Sequence, residues 1–265
     1  MHQPSASSTD TLALVRASGL GISVRSLGDR LWSGLTTAPA YPPAAGDART
    51  ISLAGLVLPV RATVAIAVVF FAVMADYHGT FLPPELLGEA RDPASMRVTA
   101  LARVVLYAAV PLLVIAFVFR DRPLRYGLRI GDWRWGTALA IAGCIAMTPI
   151  TLAIATVPEF REYYGPSATG AADLIVTNAL DLVSAEFAFR GFLMFALIRA
   201  LGPLGVVIAV LPFAFSHLGK PEIETVSTLA GGLLYGWLAW RTGSIMYGAA
   251  AHVYILTLVT LAATQ

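Results

Sequence analysis

Four side chains of this sequence belong to types that do acid–base chemistry and stand among apolar residues: Glu186, Arg190, His217 and His252. Glu186 and Arg190 are four apart in SAEFAFRGFLMFALI, so on a helix they share one face. Phe213 and His217 repeat that spacing in PFAFSHLGK, which places the ring where it can wall whatever the imidazole faces. His252 lies in the middle of GAAAHVYIL. Ionisable groups at membrane depth persist when they are paired, face a cavity or carry function. The chemistry open to this set is acid–base work, with Glu186 as a general base held in orientation by Arg190. Simpler readings exist for each group. Glu186 and Arg190 can be a structural ion pair, since buried charges are paired whether or not they react. His217 alone reads as a hydrogen-bonded core or interfacial histidine.

Other polar and small residues carry less. Asp173, Asn178 and Asp181 cap a helix or line an entrance, and Glu222 and Glu224 sit at the water interface. Gly231, Gly232 and Gly236 permit close helix approach. Trp133, Trp135, Trp237 and Trp240 suit interfacial aromatic belts. The sequence holds no Gly-rich phosphate loop, no His-Glu-x-x-His and no Gly-x-Ser-x-Gly, which removes the common zinc and serine hydrolase signatures.

The elements that must position these groups are membrane helices. Of 265 residues, 57% are hydrophobic and only 13% charged, with a mean hydropathy of +0.72; about a quarter is the usual charged share of a soluble domain. A net charge of +2 gives no reason to expect a nucleic-acid partner, and the single cysteine, Cys144, excludes an intramolecular disulfide. Seven stretches approach the length of a span: roughly 54–75, 98–119, 135–157, 170–199, 203–218, 225–240 and 244–262. The expected fold is therefore all-α, a polytopic transmembrane helical bundle of seven to eight spans. In the first stretch Arg61 lies near one end, where its head can snorkel. The later, shorter stretches suit a compact bundle around a polar cavity.

Residues 1–50, rich in Ser, Ala, Pro and Gly, read as a tail that is partly disordered or lies on the membrane surface, where Val24, Leu27, Leu31 and Leu35 recur at helical spacing. The first 20 residues hold no apolar run with a cleavage site, so no signal peptide is expected. Arginines concentrate in the tail and in RDRPLRYGLRIGDWR, residues 120–134, which places both in the cytoplasm. Loops 76–97 and 158–169 then face outward. No internal repeat is visible, which weighs against an inverted-repeat transporter.

At the residues singled out above, the chain resembles the CAAX protease and bacteriocin-processing (CPBP, Abi-type) family of intramembrane endopeptidases, which includes the type II CAAX prenyl endopeptidases. The family pattern is Glu-Glu-x-x-x-Arg, Phe-x-x-x-His and His-x-x-x-Asn on successive helices. Here it reads Ala185-Glu186-Phe187-Ala188-Phe189-Arg190, then Phe213-Ala214-Phe215-Ser216-His217, then His252-Val253-Tyr254-Ile255-Leu256. The resemblance covers roughly residues 105–260. Two positions depart from it. Ala185 replaces the family's water-activating glutamate, and Leu256 replaces the asparagine that helps hold an oxyanion. Neighbouring residues of a helix point about 100° apart, so Glu186 takes the place of a carboxylate at 185 only if the helix rotates or bulges.

The resemblance implies a glutamic-type endopeptidase that hydrolyses a peptide bond in a membrane-anchored protein or peptide. Glu186, His217 and His252 would be catalytic, with Arg190 and Phe213 supporting. No cofactor and no metal is required, although a Glu with two His could also bind zinc. The expected organisation is a tail over 1–50, an accessory transmembrane region over 51–104 and the protease core over 105–265, in a multi-pass cell-membrane protein with a cytoplasmic N-terminus. The lipid bilayer and the anchored substrate are the expected partners. Ala185 and Leu256 also favour a second reading, a non-catalytic binding or immunity module of the same fold.

Overall fold

A computed structural model describes residues 27–44, 46–79 and 91–264. The expected disorder of the N-terminal tip, with Val24, and residues 80–90 of loop 76–97 lie outside the described residues. The chain divides into two compact units, Met1–Ala38 and Pro39–Gln265. The described part of the first is helix α1, residues 27–36, along which Leu27, Leu31 and Trp32 are exposed.

The second unit opens with a hairpin that the sequence reading did not anticipate. Strand β1 (Thr50–Leu53) pairs antiparallel with β2 (Leu56–Pro59), Leu53 opposite Leu56, around Ala54-Gly55. Both turn residues have positive φ, 51° and 84°, the backbone twist that suits a two-residue hairpin. The first helix therefore starts at Val60 and not near 54. Pro59 is extended and lacks an N–H, so it stands just outside the helix. Apart from this hairpin, every regular element among the described residues is helical.

Among the described residues, three helices are long and apolar enough to cross a membrane: α2 (Val60–His78), α3 (Pro93–Phe119) and α4 (Trp133–Ile154). Asp92 caps α3 by accepting from the Ser95 amide at 2.8 Å, and Asp132 caps α4. Their outer faces carry Phe71, Met74, Phe117, Ile141 and Ile145, all exposed, as a surface in contact with lipid requires. After the short α5 (Pro158–Tyr164) comes α6, residues 171–201. It is α-helical over Ala171–Glu186, π-helical over Phe187–Leu193 and α-helical again over Met194–Leu201. Helices α7 (Leu204–Phe215), α8 (Glu222–Thr242) and α9 (Met246–Ala262) complete the unit; α7 and α9 are apolar but shorter than a full span. The seven apolar stretches read from the sequence thus appear as α2, α3, α4, α6, α7, α8 and α9.

Helix α6 is the axis of the fold. Its residues 184–198 are all buried, enclosed by α2, α3, α8 and α9. The enclosure is close enough to demand glycine at 191. A Cβ there would stand 2.8 Å from the Tyr126 carbonyl oxygen and 2.7 Å from the Phe187 ring. Between α7 and α8 the small residues act as expected, with a Cβ on Gly232 or Gly236 reaching 2.9 Å from Val210 or Val206. Charges inside the bundle are paired. Arg103 on α3 joins Asp76 on α2, at 3.0 Å, to Asp181 on α6, at 2.9 Å. Arg61 does not snorkel. It is buried and bridges Asp47 at 2.7 Å and Asp121 at 2.8 Å, because the segment before the hairpin and the loop after α3 fold over the end of α2.

Candidate functional site

Glu186 is the last α-helical residue before the π segment, and Arg190 lies within it. The Met194 amide bonds back to the Phe189 carbonyl, five residues earlier, as π geometry requires. Glu186 Oε1 accepts from Arg190 Nη1 at 3.1 Å and from His252 Nδ1 at 3.0 Å. A carboxylate only accepts, so Nδ1 of His252 carries a proton, which in the neutral ring leaves Nε2 as the acceptor. The glutamate is 1% exposed and the arginine 2%. The guanidinium lies 3.7 Å from the centre of the Phe213 ring, and its Nη2 is buried without a hydrogen-bond partner among the described residues.

His217 closes the turn after α7. Its Nδ1 donates to the Phe213 carbonyl at 2.9 Å, so here too Nε2 is left as the acceptor. Phe213 meets both histidines edge-on, His217 at 4.5 Å and His252 at 6.0 Å between ring centres. Tyr235 of α8 stacks on His252 at 5.1 Å. His217 and His252 line one cavity of about 300 Å³, with Phe213, Tyr235, Glu224 and Thr151. Most of the remaining wall is apolar. Glu186 and Arg190 do not line this cavity; they stand behind His252. Of the two positions that depart from the family pattern, Ala185 is buried and Leu256 contributes an apolar side chain to the cavity wall.

The sequence reading missed several residues of this cavity. Glu224, expected at the water interface, faces inward, with Oε1 4.0 Å from His217 Nε2. Lys220 Nζ donates to Oε1 at 2.8 Å and the Tyr164 hydroxyl donates to Oε2 at 2.6 Å. Burial, with the adjacent carboxylate, holds the Tyr164 hydroxyl well above the ordinary tyrosine range, so it remains a donor. The available signal was periodicity: Glu224, Thr228, Gly231 and Tyr235 recur at three to four residues and mark one face of α8. Thr151 on α4 carries a buried hydroxyl without a partner among the described residues, which nothing in its apolar run announces. Asp173, Asn178 and Asp181 line a second cavity of about 360 Å³, more polar, which shares Tyr164, Lys220 and Leu256 with the first.

Among the described residues, no group of three or more His, Cys, Asp or Glu side chains is placed to hold a metal ion. Two histidines, one backed by a carboxylate, in a cavity bounded by apolar helices, are equipped for general acid–base work. Neither the curated proteins nor the solved structures offer a match to the chain. The stretch that carries the whole constellation does match a family model: residues 167–257 are similar to the model described as type II CAAX prenyl endopeptidase Rce1-like.

Proposed function

We propose that the protein is an intramembrane endopeptidase that hydrolyses a peptide bond in a membrane-anchored protein or peptide. The observation that carries this reading is the shared cavity of His217 and His252, with Glu186 hydrogen-bonded behind His252. His217 Nε2 takes a proton from the attacking water. Glu186 works through His252. It fixes the ring's orientation, and in the doubly protonated ring Nε2–H donates to the oxyanion. Arg190 neutralises Glu186, and Phe213 holds the guanidinium and both rings in register. Glu186 is thus a positioning carboxylate and not the group that touches the water, because its one engaged oxygen is spent twice and the cavity lies on the far side of His252.

The protease core extends over 105–265, and seven helices cross the cell membrane with the N-terminus in the cytoplasm. Support for that orientation comes from the arginines, which gather at one end. Arg125 pairs with Asp121, Arg241 pairs with Asp132, and Arg129 donates to the Gly243 carbonyl. A binding module of the same fold is the competing reading, favoured by Ala185 and Leu256. Cleavage separates the two. The native protein in detergent, given randomised, internally quenched peptides bearing an acyl anchor, should release product, and His217→Ala should abolish release at unchanged abundance. Equal product from both forms, or none from the native protein, overturns the peptidase reading.

A further inference from the structure

The family pattern's water-activating carboxylate would stand at 185, which is alanine here, and the neighbouring Glu186 does not line the cavity. Glu186 is enclosed, with Oε1 occupied by Arg190 and His252. Glu224 is the acidic residue that lines the cavity, and its Oε1 faces His217 Nε2 across 4.0 Å. That gap is too long for a direct hydrogen bond and suits a water that bonds to both atoms at about 2.8 Å. Both atoms are acceptors. His217 Nε2 holds a lone pair because Nδ1 donates to the Phe213 carbonyl, and a carboxylate oxygen accepts by nature. A water between them would donate both of its hydrogens, which turns its oxygen lone pairs toward the cavity.

The surroundings of Glu224 exceed what a surface ion pair needs. Lys220, one turn earlier, would suffice to neutralise it. Yet Oε2 is also clamped at 2.6 Å by the buried Tyr164 of α5, so two anchors from two segments fix the direction of Oε1. We infer that Glu224 is a catalytic residue, which together with His217 holds the attacking water in the cavity. The step balances as follows. One O–H bond of the water breaks and its proton passes to His217 Nε2. The oxygen forms a bond to the carbonyl carbon, and the carbonyl π pair becomes the oxyanion. The second hydrogen stays on the attacking oxygen and donates to Glu224 Oε1. Collapse of the intermediate breaks the C–N bond, and the amine takes from His217 Nε2 the proton that left the water.

This inference rests on the peptidase reading above, and the test keeps the two apart. The native protein, Glu224→Gln, Lys220→Ala and His217→Ala are purified in detergent and compared on the acyl-anchored quenched peptides, with thermal unfolding measured alongside. Gln keeps the length of the side chain and the Tyr164 contact but offers no anionic acceptor. The expected result is a loss of about 10²-fold in kcat for Glu224→Gln, at unchanged KM and melting temperature. Lys220→Ala removes one of the two anchors that fix Oε1 and should lower kcat by about 10-fold, less than Glu224→Gln, at unchanged melting temperature. If Glu224→Gln fails to accumulate, Glu224→Asp, which keeps the charge and withdraws it by one methylene, should lose at least about 10-fold. Native kcat in whichever of the two is measured refutes a catalytic Glu224 and leaves the peptidase reading standing. Parallel losses in Lys220→Ala and Glu224→Gln, tracking a fall in melting temperature, refute it in favour of a structural ion pair. No cleavage by the native protein overturns the peptidase reading, and this inference with it.

Discussion

Replacing Glu186 with glutamine tests the energetics on which the site depends. The native side chain is 1% exposed, and one oxygen receives Arg190 at 3.1 Å and His252 at 3.0 Å. Glutamine keeps the shape and one carbonyl acceptor but removes the counter-charge of a guanidinium that is itself 2% exposed and already has one unpartnered nitrogen. Breaking a buried ion pair from one side costs about 3–5 kcal/mol. The Phe213 face, 3.7 Å from the guanidinium carbon, is present in both forms and offsets none of this. The net expectation is a loss of about 3–5 kcal/mol, a large part of the stability of an ordinary domain. Reversible unfolding in mixed micelles measures it. The double variant Glu186→Gln with Arg190→Met removes the stranded charge and should recover most of the loss, because replacing both members of a buried pair by groups of similar volume is often near neutral. A single variant within about 0.5 kcal/mol of native, or a double variant that loses more than the single, refutes the pairing argument.

Further expectations follow from particular contacts. Gly191→Ala forces a methyl against the Tyr126 carbonyl and the Phe187 ring and should cost about 1–3 kcal/mol in the same unfolding assay. Arg103→Met leaves Asp76 and Asp181 without their shared partner and should lower membrane abundance, with Asp76→Asn and Asp181→Asn added together restoring part of it. Tyr235→Ala frees the His252 ring and should reduce peptide cleavage by about 10-fold, whereas Tyr235→Phe, which keeps the stack, should leave it near native. In a Cys144-free background, a cysteine at 125 should resist an impermeant thiol reagent in intact cells and one at 162 should react; the reverse pattern inverts the orientation.

The helices were legible because span-length apolar runs have few other uses. The stretch expected at 135–157 is α4, and the one expected at 244–262 is α9, each displaced by only a few residues. The start of α2 was not legible, since ISLAGLVLP is as apolar as a helix and only the positive φ at Ala54 and Gly55 marks the turn. Spacing placed Glu186 and Arg190 on one face, and they do meet there. It could not place Glu224. A glutamate that follows a lysine, a proline and another glutamate in GKPEIET has the local signature of an interface, and its inward direction is set by Tyr164, sixty residues away. Nor could the sequence show that Arg61 is buried, because the carboxylates that receive it come from two distant loops.

The π segment of α6 makes this helix a dial as well as a rod. A π turn holds one residue more than an α-helix of that path needs, and each α-helical residue advances the azimuth by about 100°. Removing one residue within Phe187–Leu193 would return the segment to α geometry. It would also swing Ala171–Glu186 about the axis relative to Met194–Leu201, while the two ends shift along it by only about 1.5 Å. The offset between Glu186 and the motif position at Ala185 is also one residue, the same angular step. A change of chain length that would elsewhere displace a whole helix end is here converted into a choice of which side chain points toward His252.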